Sequence, residues 1–164
     1  MVKNSNDNRK KLQMSKRRNV AHVAEISVFA HATEDPDKAL AAAQRLLPSL
    51  LAERTVFARV AMEGHHRNPI LQFEAVIEER KDGIETLRKL LADLSSVDED
   101  LLRKEFLKNV DRKGNIYLRF DKQQAFLGKT VLGSGDPVSF RFRLGFRLSS
   151  LEELKALLEA KRDA

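Results

Sequence analysis

PVSFRFRLGFRL, residues 137–148, alternates without a break. Phe140, Phe142, Leu144, Phe146 and Leu148 fall on one side of an extended chain, and Arg141, Arg143 and Arg147 fall on the other, around Gly145. Successive side chains of a strand point to opposite faces, so this spacing predicts a strand with one dry face and one wet face. NIYLRFDK, residues 115–122, repeats the pattern, with Ile116, Leu118 and Phe120 inward and Tyr117 and Arg119 outward. A strand buried on both faces reads as a continuous apolar run. These strands do not, so the sheet they build is mostly antiparallel and covered on one face only.

The rest of the chain supplies the cover. VAHVAEISVFAHA, residues 20–32, alternates with Ala24, Ile26, Val28 and Ala30 on one side and Val23, Glu25, Ser27, Phe29 and His31 on the other. DPDKALAAAQRLLPSLL, residues 35–51, then switches to helical spacing, with Leu40, Ala43, Leu47 and Leu50 on one stripe and Pro36 and Pro48 near its ends. Residues 53–79 read as two strands joined by the turn Gly64–Pro69, a hairpin. Residues 82–95 and 97–110 are helical, and the segment after Asp121 turns into a short helical or looped piece. LGSGDP, residues 132–137, is a turn; its G-x-G precedes a strand, where a dinucleotide site needs a helix. SSLEELKALLEAKR, residues 149–162, closes the chain as a helix, with Ser150 and Glu153 as a capping box and Leu151, Leu154, Leu157 and Leu158 facing the core. The order of elements implies an α+β fold: a two-layer sandwich with a mostly antiparallel sheet and helices on one face.

The chain has 164 residues, 42% hydrophobic and 33% charged, enough for one soluble domain with its own core. It has no cysteine, which excludes a disulfide frame, a thiol nucleophile and the cysteine-containing zinc sites. No apolar run approaches the ~20 residues of a membrane span, and the N-terminus has no apolar stretch of a secretory signal. A soluble, cytoplasmic protein without a membrane partner is the expectation. The formal charge of +6 is concentrated: residues 1–18 hold seven Lys/Arg against Asp7 alone, and the remainder is balanced. Residues 1–18 are therefore expected to be a disordered basic tail, in which Arg9, Lys10, Lys11, Lys16, Arg17 and Arg18 grip a polyanion non-specifically, and residues 19–164 a single domain.

Four stretches offer chemistry. In FAHATEDPDKAL, residues 29–40, a histidine and three carboxylates crowd together. Acidic residues are favoured at a helix N-terminus, and Thr33 or Asp35 can cap free N–H groups there, so the stretch reads as a strand-to-helix corner. The competing expectation is a nuclease or RNA-modifying enzyme that uses His31 as a base with Glu34 or Asp35. In GHHRNP, residues 64–69, the adjacent His65 and His66 point apart in an extended chain, which suits chelation of a metal poorly; with Arg67 and Asn68 they suit phosphate and base contact better. The outward face of the late strands interleaves arginine with aromatic side chains, namely Tyr117, Arg119, Arg141, Arg143 and Arg147, with Phe29, Phe57 and Arg59 expected to share it. Lys122 and Gln123, just past the strand, are placed to reach phosphate or base edges, while Asp121 caps the turn.

Taken together, FAHATED, GHHRNPI and YLRFDKQQAFLGK, in that order and spacing, resemble an archaeal RNA-binding protein family with a predicted link to the exosome. RFDKQQA, Arg119 to Ala125, is the most specific part, and the resemblance covers about residues 20–147. Glycine is usual in that family where this chain has Arg67. The resemblance implies a fold like that of the ribosomal protein that binds 5S RNA, an archaeal source, RNA as partner with exosome or ribosome-associated proteins, and no catalytic residue, cofactor or metal. A protein-interaction subunit of a larger complex is the remaining alternative.

Overall fold

The computed structural model describes residues 23–162. Five strands, β1 (Ala24–Ala30), β2 (Ala58–Glu63), β3 (Pro69–Ile77), β4 (Asn115–Asp121) and β5 (Pro137–Arg143), pair in the order β2-β3-β1-β5-β4. Every neighbouring pair is antiparallel. Six helices accompany them: α1 (Pro36–Arg45), α2 (Ser49–Arg54), α3 (Arg80–Ala92), α4 (Ser96–Lys104), α5 (Lys122–Phe126) and α6 (Leu151–Arg162). The first strand thus lies at the centre, and the α+β sandwich expected from the alternation is what forms.

The core is the dry face of the sheet. Ile26, Val28, Phe73, Ala75, Ile116, Leu118, Phe120, Val138, Phe140 and Phe142 are buried against Leu46, Leu47, Leu87, Leu90, Leu151 and Leu154 of the helical layer. Phe120 meets Phe140 edge-on with ring centroids 5.7 Å apart, and Phe140 stacks on Phe142 at 5.8 Å, the two arrangements aromatic quadrupoles favour.

Caps define the helices much as their sequences dictate. Asp35 accepts from the N–H of Asp37 (2.9 Å) at the start of α1, with Pro36 in the first turn. Ser95 caps α4 through the N–H of Asp98 (3.1 Å). Ser150 accepts from the N–H of Glu153 (3.2 Å), while the Glu153 carboxylate reaches back to the N–H and hydroxyl of Ser149. Arg103 then joins α4 to α6 through Glu152 (2.5 Å).

Three expectations are corrected by packing. The helix expected over 35–51 breaks at Pro48, whose ring cannot continue it, and restarts as α2. Its buried stripe is Ala39, Ala42, Ala43, Leu46 and Leu47, with Leu51 from α2, whereas Leu50 is 77% exposed. Small alanines on that face let α1 approach β1 and α5. The strand expected over 137–148 ends at Arg143, because the chain turns at Gly145 with φ +85°. Phe146 is consequently exposed and Arg147 leaves the sheet face. Finally, Arg59 stands opposite Phe73 in the register of β2 and β3, with its guanidinium 5.9 Å from that ring, and Phe57 packs on the core. Both lie on the helix side and not on the open face, because the hairpin register, which the sequence leaves free, sets the parity of β2.

Candidate nucleic-acid interface

The corner between β1 and α1 is occupied by an internal cation. Lys122, at the start of α5, is buried, and its ammonium donates to the Phe29 carbonyl (2.9 Å), to Glu34 (2.8 Å) and to Asp136 (2.5 Å). Glu34 also accepts from the backbone N–H of His31 (3.1 Å), and His31 Nε2 lies 3.4 Å from Asp136 and 4.0 Å from Glu34. His31, Glu34 and Asp136 have the composition of a metal site. The lysine ammonium, however, already sits between the two carboxylates and answers one of their two charges. Lys122 is therefore held inside the protein by these acceptors, where the sequence reading had it reaching phosphate or base edges. Asp35, the other proposed partner of His31, is spent as the α1 cap. Asp121 caps α5 by accepting from the N–H of Gln124 (2.8 Å), as its position after the strand suggested, and Gln123 remains exposed beside it.

At the hairpin tip His65, His66, Arg67 and Asn68 are all exposed. The turn is closed by the Gly64 N–H on the Asn68 carbonyl (2.8 Å) and the Asn68 N–H on the His65 carbonyl (3.2 Å). His66 and Arg67 both adopt positive φ, 57° and 61°. That conformation is costly for a residue with a Cβ and free for glycine, the residue the resemblance leads one to expect at the Arg67 position.

On the open face, residues from different strands line up in rows. One row runs Tyr117–Arg141–Glu25–Val76, the next Arg119–Ser139–Ser27–Glu74. Arg141 is ion-paired with Glu25 at 3.0 Å, so its charge is partly answered. Arg119 and Arg143 are exposed and make no ion pair among the described residues. The β4–β5 half of the face therefore keeps the unneutralised arginines, with Tyr117 between them.

The turn into β4 lies at the end of this half. Asp111 organises the turn into β4: its carboxylate accepts from the side chain and backbone N–H of Asn115 (2.8 and 2.9 Å), the Tyr117 hydroxyl (3.0 Å) and the Lys113 N–H (2.9 Å). The Asn115 side-chain bond, then the Asn115 backbone bond, lowers its pKa from 3.8 to about 2. The turn leaves Arg112 and Lys113 exposed at its tip. The only local signal was the D-x-x-G-N pattern of an Asx-type turn. A carboxylate whose pKa falls on folding contributes stability that is present above the unfolded pKa and lost as pH drops through the folded value. Stability should thus decline between about pH 4 and about pH 2, and Asp111→Asn should be less stable near neutrality and show a shallower decline in that window. Denaturant midpoints across it check this; an unchanged slope would mean that Asp111 does not hold the turn.

The basic tail residues Arg9, Lys10, Lys11, Lys16, Arg17 and Arg18 lie outside the described residues, as does His22. The described chain begins at Val23, whose carbonyl accepts from the Arg143 N–H of β5 (2.7 Å) and whose N–H donates to the Ile77 carbonyl of β3 (2.7 Å).

Comparison with known proteins places the chain in a family. Residues 23–144 match the model of a family described as RNA binding. The protein belongs to this RNA-binding family. The match takes in all five strands of the sheet and stops before α6. RNA-binding protein PAB1135 of Pyrococcus abyssi is 38% identical over 119 residues, covering 72% of this chain and 77% of that protein. Among solved structures, protein SSO0741 of Sulfolobus solfataricus superposes with a TM-score of 0.66 at 28% identity, covering 84% of this chain and 98% of its own. Protein AF2318 of Archaeglobus fulgidus shares the fold, with a TM-score of 0.65 at 24% identity and coverage of 87% and 97%. The family-matched region contains His65 to Asn68, Tyr117, Arg119, Gln123, Arg141 and Arg143, and leaves out Arg147. No described helix is long and apolar enough to cross a membrane.

Proposed function

We propose that this member of the RNA-binding family acts without catalysis, holding structured or ribosomal-type RNA on the β4–β5 half of its open sheet face. The observation that carries this is the pair Arg119 and Arg143, exposed, without ion pairs among the described residues, and flanking Tyr117 on the sheet face turned away from the helices. An arginine without a protein carboxylate keeps its five-donor fork for phosphate or base edges, and an adjacent aromatic ring offers a stacking platform. The hairpin tip and Gln123 add local contacts, and the basic tail adds long-range attraction. A role beside exosome or ribosome-associated proteins is consistent with the resemblance of the RFDKQQA segment. The His31–Glu34–Asp136 group supports a non-enzymatic role, because its carboxylates are engaged by Lys122 and the backbone.

Arg119→Gln with Arg143→Gln keeps strand length and polarity and removes the charge and the fork. RNA affinity should fall about tenfold or more, while circular dichroism and melting stay close to the parent, since exposed arginines of this kind contribute ~0–1 kcal/mol. Undiminished affinity in the double variant would place the contact surface elsewhere.

A further inference from the structure

The loop before β4 and the loop after β5 are locked together at the same corner of the sheet. Gly114, with φ +85°, lies so close to the second loop that a Cβ there would come within 2.3 Å of the Phe146 carbonyl oxygen. The Gly114 carbonyl in turn accepts from the Leu144 N–H (3.4 Å), and Asn115 pairs with Arg143. This contact brings Arg112 and Lys113 of one loop beside Phe146 and Arg147 of the other. All four are exposed, and none of the three cations makes an ion pair among the described residues. The nearby carboxylate of Asp111 is already taken by four hydrogen bonds. Phe146 is 46% exposed, whereas Phe120, Phe140 and Phe142 of β4 and β5 are buried. A half-exposed aromatic ring beside three cations that pair with no described carboxylate is the arrangement that nucleotide stacking uses.

We propose that these two loops form a clamp for a single-stranded RNA segment, with one base stacked on Phe146 and the adjoining phosphates on Arg112, Lys113 and Arg147. The inference rests on the RNA-binding reading above and adds to it the site and the strandedness: a base must be unstacked to lie on a side chain, so the clamp takes single strands or loops and not a continuous duplex. The stacking platform is independent of base identity, because every base has a π-face, so the clamp holds RNA without selecting sequence.

The test uses the full chain and two probes, a fluorescent single-stranded oligouridine and a blunt RNA duplex of equal length. Phe146→Ala should weaken oligouridine binding about tenfold or more, as loss of one stacked base does, and leave duplex binding unchanged. Phe146→Tyr, which keeps a π-face, should retain the parent's affinity. Arg112→Gln, Lys113→Gln and Arg147→Gln together should lower the slope of log K against log salt by about 2, at ~0.7 per phosphate on single strands. Equal losses on both probes, or no loss on oligouridine, would overturn the clamp. If the parent binds neither RNA, the RNA-binding reading itself fails; if Arg119→Gln with Arg143→Gln loses affinity while Phe146→Ala does not, that reading stands and only the clamp is lost.

Discussion

Lys122→Ala is expected to destabilise the domain by about 2–3 kcal/mol, a fall of roughly 10 °C in melting temperature. Removing one partner of a buried ion pair typically costs ~3–5 kcal/mol, because the other charge is left without compensation. Here the partners Glu34 and Asp136 keep 32% and 41% of their side-chain surface, so water recovers part of that cost and the lower figure applies. The loss includes the side-chain bond that ties α5 to the Phe29 carbonyl of β1. Lys122→Met keeps the apolar stem and should recover little, since it leaves two carboxylates facing each other. Adding Glu34→Gln and Asp136→Asn to Lys122→Met should restore about half of the loss, because the uncompensated charge is then gone. RNA affinity of the folded protein should persist in all three, which separates a structural cation from a phosphate contact. A Lys122→Ala protein as stable as the parent would show that the ammonium is not held as described.

Deleting residues 1–18 is expected to flatten the salt dependence of RNA binding more than any change in the body. The seven basic residues of this segment carry the whole net charge of the chain. If each meets a phosphate, the slope of log K against log salt falls by about 5, at ~0.7 per contact on single strands. Over a fourfold rise in salt the parent would then lose roughly a thousandfold more affinity than the truncated protein. Melting temperature should change little, since the segment offers only Val2, Leu12 and Met14 for burial and the core is closed by residues 24–158. An unchanged slope would show that the tail does not meet RNA. The tail and the Arg119/Arg143 pair act through different terms, long-range charge and local geometry, so their effects should add when the two changes are combined.

Much of this protein was decided within short windows of sequence. Period-two spacing fixed which faces of β1, β4 and most of β5 are buried, because Cβ atoms alternate whatever lies around them. Asp35, Ser95, Asp121 and Ser150 cap their helices because a short polar side chain reaches an N–H two or three residues on, a contact that needs no tertiary structure. The Tyr117–Arg119 side of β4 was legible for the same reason. What the sequence left open depends on partners far along the chain. Lys122 looked like a free cation after a strand; its fate is set by Phe29 and Glu34, 93 and 88 positions away, which only the pairing of β1 beside β5 brings near. Arg59 changed faces because hairpin register, not alternation, decides which parity meets the core. Arg112 and Lys113 gained significance only when Gly114 met Phe146 across two loops. Local geometry repeats every two or four residues and can be read from the chain, whereas the entropy-costly contacts between distant segments form only when the whole core closes, and those contacts decide which charges end up buried and which are left exposed.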